Sequence, residues 1–406
     1  MDYKIINDPV FGFIRIPNGL LLEIVKHPYF YRLSRIKQLG LAYIVFPGAQ
    51  HTRFQHSIGS YHLVTNAMRS LARKGHFIFD SEEEAVCAAI LMHDIGHGPF
   101  SHVLEHTLIS GISHEEISLL IMERLNQEFR GELTLAIKIF KNDYPKKFLH
   151  QLISSQLDVD RLDYLRRDSF FTGVTEGNIG SSRIIDMLNV VDDHLVVEKK
   201  GIYSIENYLV SRRLMYWQVY LHKTAVSAEL MLIKCLQRAK ELASRGVELF
   251  CSPSLRYFLY NKINGIHFMT ETEPLTHFMQ LDDNDIWCSL KVWQHHDDKL
   301  LSLLSRNLIN RNIFKVEISD TPFEQEYIDG IITKISTNYG LSQSETSTYL
   351  ISEKEVGKEM YNLYDDNIEI LEKDGSMHDV AQVSDMLNID TLSKDIKKYY
   401  LCYQRL

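Results

Sequence analysis

Residues 91–102, LMHDIGHGPFSH, end an apolar run on two side chains, His93 and Asp94, that ligate metals and move protons. Setting such groups beside a buried run is costly unless something pairs or coordinates them. The stretch therefore calls for a metal, and the chain carries more ligands on either side of it. Upstream, residues 51–57, HTRFQHS, hold His56; downstream, residues 157–168, LDVDRLDYLRRD, hold Asp160. His56 alone would read as a hydrogen-bonded core histidine. Joined to His93, Asp94 and Asp160 it completes a set of two imidazoles and two carboxylates, suited to a catalytic divalent cation that keeps positions open for water and substrate.

Working outward, the apolar positions Phe54, Ile58, Tyr61, Val64, Met68 and Leu71 recur at steps of three and four and predict a helix with His56 near its start. Residues 82–95 predict a helix buried on most sides, ended by Gly96, Gly98 and Pro99. Further helices are expected over about 114–129 and 147–168, the latter placing Asp160, Tyr164 and Asp168 on one face. LVVEKKGIYSI, residues 195–205, reads as a hairpin of two short strands. A long helix over about 205–244 would then line up Arg212, Tyr216, Tyr220 and Lys223, two cations and two phenols that suit a phosphate-bearing ligand. After about residue 250, short strand-like and helical pieces alternate, with Asp374-Gly375 a turn signal. The expected organisation is a mainly α chain: residues 1–245 form a helical metal-site domain with short hairpins, and 246–406 a smaller α+β region for oligomerisation or regulation.

A chain of 406 residues can bury a large core. Its net charge of −9 argues against broad electrostatic binding to nucleic acid, which is not expected as the main substrate, although a few converging arginines can still hold a polyphosphate. Cys87, Cys235, Cys251, Cys288 and Cys402 form no CxxC pair and read as reduced thiols. No signal peptide and no membrane-spanning run is expected, which points to the cytoplasm.

Taken together, QLGLAYIVFPGAQHTRFQHS, HDIGHGPFSH, LDVDRLDYLRRD and YLHK resemble the HD-domain deoxynucleoside triphosphate triphosphohydrolases over roughly residues 9–235. The resemblance implies an HD-domain helical core with His56, His93, Asp94 and Asp160 as ligands of a divalent metal (Mn, Mg, Fe, Zn or Ni). It implies His114 as the catalytic histidine, with Glu115 beside it and Glu105 orienting it. Arg53, His97, His102, Arg161, Arg212 and Lys223 would clamp the triphosphate. Gln38 and Asp168 would bind the sugar 3′-hydroxyl, and Tyr164 and Tyr220 would pack on the sugar. Arg161 departs from the lysine of the mammalian relative, and a planar fork is not equivalent to a point charge. The same likeness implies a homo-oligomer, dimer or tetramer, and leaves room for an allosteric nucleotide, whose sites it does not carry over residue by residue. Two rivals differ in class: another HD phosphohydrolase, a nucleotidase or phosphodiesterase, and a non-catalytic nucleotide sensor. HDIGHG lacks both the acidic pair of the alarmone hydrolases and the lysine of many cyclic-dinucleotide enzymes.

Overall fold

A chain whose longest apolar patterns have a helical period must build its core from packed helices, and this one does. The computed structural model describes residues 3–105, 107–357, 367–384 and 397–406; the side chains of His102 and Glu105 lie outside the described residues. The chain begins with an antiparallel hairpin, Tyr3–Asp8 paired with Gly12–Pro17. Three helices then form the centre: Arg53–Arg73, Asp80–Met92 and Val159–Thr172. The first packs against both others. Gln55 accepts from the Thr52 backbone N–H at 2.9 Å, closing a cap that starts the Arg53 helix three residues before His56.

The second helix stops at Met92, short of the expected residue 95. The loop that follows lies directly on the start of the His114–Glu128 helix. A Cβ at Gly96 would meet the His114 carbonyl oxygen at 2.1 Å, so only glycine fits. Ser118 ties this junction, donating to the His93 carbonyl at 2.8 Å and accepting from Gly96 N–H at 2.9 Å.

Three sequence expectations need correction. The predicted 147–168 helix is two pieces, Lys147–Gln151 and Val159–Thr172. Asp158 breaks it by accepting from the backbone N–H groups of both Ser155 and Arg161, which caps a new helix. The hairpin turns at Asp192-Asp193, where both φ values are positive (49° and 62°), joining Leu188–Val191 to His194–Glu198. The residues IYSI belong instead to the following helix, Ile202–Met215. That helix does not run to 244. It widens into a π turn at Tyr216–Tyr220, and the chain re-enters a helix at Lys223–Ser244, with the His222 ring capping Thr224 N–H at 3.2 Å. Arg212, Tyr216, Tyr220 and Lys223 therefore do not share a single straight stripe.

Beyond residue 250 the helices Pro253–Tyr260 and Lys299–Ile309 pack on Lys223–Ser244. An antiparallel sheet places the last strand, Lys398–Tyr403, between Lys315–Ser319 and Ile351–Val356. The Asp374-Gly375 turn joins Glu369–Leu371 to Met377–Asp379, and the former pairs parallel with His194–Glu198. One apolar core runs from Ile14 to Tyr403. Among the described residues no helix is long and apolar enough to cross a membrane.

Candidate metal and substrate site

His56 comes from the first turn of its helix, His93 from the end of Asp80–Met92, and Asp160 from the first turn of Val159–Thr172. Their donor atoms converge: His56 Nε2 lies 3.3 Å from His93 Nε2 and 2.9 Å from Asp160 Oδ1, and His93 Nε2 lies 3.5 Å from the same oxygen. Among the described residues these three form the group able to hold a metal ion. Asp94 borders it, with Oδ1 3.5 Å from His93 Nε2 and Oδ2 3.8 Å from His56 Nε2. The outer ring nitrogens fix the tautomers. His56 Nδ1–H donates to Asp163 at 2.7 Å and His93 Nδ1–H to the Ile90 carbonyl at 2.7 Å, which turns both Nε2 lone pairs inward.

Two lone pairs this close to each other and to a carboxylate demand a positive charge between them. A proton can supply that charge: burial opposes a charged His56, but Asp160 and Asp163 outweigh it and hold its pKa up to about 10, and a divalent cation would take the place of that proton at Nε2. Burial likewise opposes an ionised Asp160, yet His56 and His93 keep its carboxyl below the usual range. A group of this kind fits a divalent cation, with His56, His93 and Asp160 holding it and Asp94 beside them. Such an ion would lower the pKa of a bound water toward ~7 and polarise a phosphoryl oxygen.

A cationic lobe adjoins the cluster. Arg53 Nη1 donates to Asp94 Oδ2 at 2.6 Å, and His97 Nε2 approaches Asp94 Oδ1 at 3.3 Å. Burial and the Arg53 charge push His97 down to about 3, so it is a neutral ring. It stacks on His114 at a centroid distance of 3.9 Å and bonds Ser101 Oγ at 2.6 Å. His114 begins its helix, 3.9 Å from the exposed carboxylate of Glu115. Arg161 pairs with Asp158 while its Nε is buried without a hydrogen-bond partner. Arg53 Nε and two nitrogens of the buried Arg212 are orphaned in the same way. Lys223 stands exposed at the start of its helix.

A polar and aromatic patch adjoins the cluster through Tyr164. Asp168 binds His51 Nε2 through Oδ1 at 2.7 Å and accepts from Tyr220 Oη–H through Oδ2 at 2.8 Å. Gln38 joins by its backbone N–H, which donates to the His51 carbonyl at 3.1 Å, and its Oε1 is buried without a hydrogen bond. The rings of Tyr164 and Tyr220 sit edge to face at 6.0 Å, and Tyr164 lies 6.5 Å from the His56 ring. Burial raises the pKa of both phenols, helped at Tyr220 by Asp168, so both stay neutral donors.

Comparison with known proteins gives the family. The HD domain model matches residues 53–168, which include the metal group, and the HD associated region matches 179–249. An uncharacterized protein of Bacillus subtilis, YwfO, is 34% identical over 84% of this chain and 78% of its own. The crystal structure of a phosphohydrolase from Bacteroides thetaiotaomicron superposes with a TM-score of 0.97, at 64% identity, covering 99% of this chain and 100% of that one. The chain belongs to the HD-domain phosphohydrolase family. Bovine deoxynucleoside triphosphate triphosphohydrolase SAMHD1 is a more distant relative, 28% identical over 77% of this chain and 58% of its own.

In this HD-domain phosphohydrolase the fold brings together His56, His93 and Asp160 with Asp94 beside them, and joins Asp168 to Tyr220 and Tyr220 to Tyr164. Sequence order alone did not reveal His51, although that residue opens the same HTRFQHS block. Asp163 and Arg167 were likewise passed over, although their spacing of four on one helix was a visible ion-pair signal. Asp8 gave no local signal, because its partner Arg167 lies 159 residues away.

Proposed function

We propose that the protein is a deoxynucleoside triphosphate triphosphohydrolase, converting dNTP and water to deoxynucleoside and inorganic triphosphate. The observation that carries the reading is the order of groups along Val159–Thr172. Asp160 belongs to the metal group, Tyr164 comes next on the same face, and Asp168 is bound by His51 and Tyr220. Eight helical residues span on the order of 12 Å, room for an α-phosphate followed by a sugar. The orphaned guanidinium nitrogens of Arg53, Arg161 and Arg212 supply donors for a polyanion, and burial makes each such contact strong.

In this reading the arginines, with His102 and Lys223, hold the triphosphate as charge builds on it. The oxygen of water adds to the α-phosphorus and the bond from phosphorus to the 5′-oxygen breaks. His114, with Glu115 beside it and Glu105 to orient it, gives a proton to the departing 5′-oxygen. Gln38 and Asp168 receive the 3′-hydroxyl, and Tyr164 and Tyr220 flank the sugar. The same reading makes the protein a cytoplasmic homo-oligomer, with residues 246–406 serving assembly or response to a second nucleotide.

The test is to incubate purified protein with each dNTP and NTP plus Mn²⁺ or Mg²⁺ in ¹⁸O-labelled water and to identify the products. Triphosphate carrying the label, with unlabelled deoxynucleoside, is expected. Pyrophosphate or orthophosphate as first product would overturn the reaction assignment.

A further inference from the structure

From the His56 ring, beneath the candidate metal group, runs a chain of three buried charged side chains, Asp163, Arg167 and Asp8. His56 Nδ1–H donates to Asp163 Oδ2 at 2.7 Å. Arg167 grips the same carboxylate with Nε and Nη2, both at 2.9 Å, and sends Nη1 the other way to Asp8 Oδ2 at 2.7 Å. His56, Asp163 and Arg167 are 0% exposed and Asp8 4%. The remaining Asp8 oxygen accepts from the backbone N–H groups of Val10 and Phe11, both at 2.9 Å, which fixes the turn of the N-terminal hairpin.

The neighbouring helix is shaped to admit this chain. A Cβ at Gly59 would lie 1.9 Å from Asp163 Oδ1 and 2.1 Å from Arg167 Nη2. A buried ion pair is commonly no more stabilising than apolar packing of equal volume, so stability alone does not account for one at this depth. Orientation of a metal-binding ring does, because outer partners set both the angle and the basicity of the ligating nitrogen. Two carboxylates and one guanidinium leave one net negative charge below His56, which favours a cation at Nε2.

We infer that Asp8 is a positioning residue for His56: acting through Arg167 and Asp163, the N-terminal hairpin holds the ring and thereby sets the affinity of the site for a divalent cation. This rests on the reading of His56 as a metal ligand. Asp8→Asn tests it cleanly, since the Asn oxygen can still accept from Val10 and Phe11 while its amide faces Arg167 without charge. Gly59→Ala attacks the same chain from the other side.

The experiment is titration of the metal-stripped full-length protein with Mn²⁺ at a temperature well below melting, with the visible absorption of the Co²⁺-loaded protein as a second readout. Asp8→Asn should raise the Mn²⁺ Kd by about tenfold, the lower end of the range for outer-shell partners, and shift the Co²⁺ bands. Gly59→Ala should act in the same direction, and it decides the matter if Asp8→Asn does not fold. Ile14→Ala, in the same hairpin but off the chain, should leave both readouts unchanged. Wild-type Kd and Co²⁺ bands in Asp8→Asn, or equal weakening by Ile14→Ala, would overturn the inference and leave the metal site standing. A wild-type protein that binds no Mn²⁺, or a His56→Ala variant that binds it undiminished, overturns the metal-site reading and this inference with it.

Discussion

Beneath His56, Arg167 is fully buried between Asp163 and Asp8, whereas on the C-terminal sheet Glu317 meets Lys315, Tyr327 and Tyr403 at the surface, with distances of 2.9, 2.8 and 2.6 Å. The bond lengths are alike, but the surroundings are not. Lys315 is half exposed and Glu317 a quarter exposed, so water can replace any partner that is lost. No water replaces Asp8 or Asp163, and removing one member there leaves a buried charge unpaired. Equal geometry therefore carries unequal consequence, and the buried network is the one that touches His56 of the candidate metal group.

The largest effect is expected above the buried chain. His93→Ala or Asp94→Ala should lower turnover by more than about a thousandfold, because groups that act as a unit fail together. Metal analysis of the His93 variant should show lost metal with a near-native circular dichroism spectrum. Undiminished activity with full metal in the Asp94 variant would remove Asp94 from the site. Next comes Arg167→Met, which leaves Asp8 and Asp163 facing each other without a cation and should destabilise by about 3–5 kcal/mol. A melting temperature within about 1 °C of wild type would erase the contrast between the two networks.

Tyr164→Ala tests the polar patch. A 2′-hydroxyl set against the Tyr164 ring would lose its hydrogen bond, costing about 1–3 kcal/mol, so wild-type protein should favour dGTP over GTP by roughly tenfold to a hundredfold in kcat/KM. The variant should narrow that gap; an unchanged preference would return Tyr164 to a core role. The smallest effect belongs to the surface network. Glu317→Gln should move Tm by less than about 3 °C at pH 7. Hydrogen bonding by Tyr403, with help from Lys315 and Tyr327, outweighs burial and brings Glu317 down to about 2 from 4.5. A depressed carboxyl stabilises the fold above its ordinary value and loses that contribution as pH falls. The Tm difference between wild type and variant should thus be constant above pH 4.5 and shrink toward pH 2. A difference that grows on acidification would reverse the assignment.

The two networks also separate what can be read in a chain from what cannot. The pairing of Asp163 with Arg167 lies within one helix and is visible as a step of four, and Lys315 with Glu317 lies within one strand. Asp158 looked like one more acid in an acidic string, yet it ends one helix and starts another, because whether a side chain caps or continues a helix depends on where its oxygens find N–H groups. The π turn at Tyr216–Tyr220 has no period of its own and was likewise hidden in a pattern that suits a straight helix.

By itself, the sequence determined a mainly helical chain and its blocks of ligands, because helical period and clustered histidines and carboxylates are local properties fixed by residue order. It also determined that Asp160, Tyr164 and Asp168 share a face, since four residues make nearly one turn. Only the tertiary structure decided that His56, His93 and Asp160 meet within hydrogen-bond reach, that His51 holds Asp168, and that Asp8 reaches Arg167. Those contacts join segments tens to more than a hundred residues apart. Their distances are set by which helices pack together and by the glycines, Gly59 and Gly96, that let them approach.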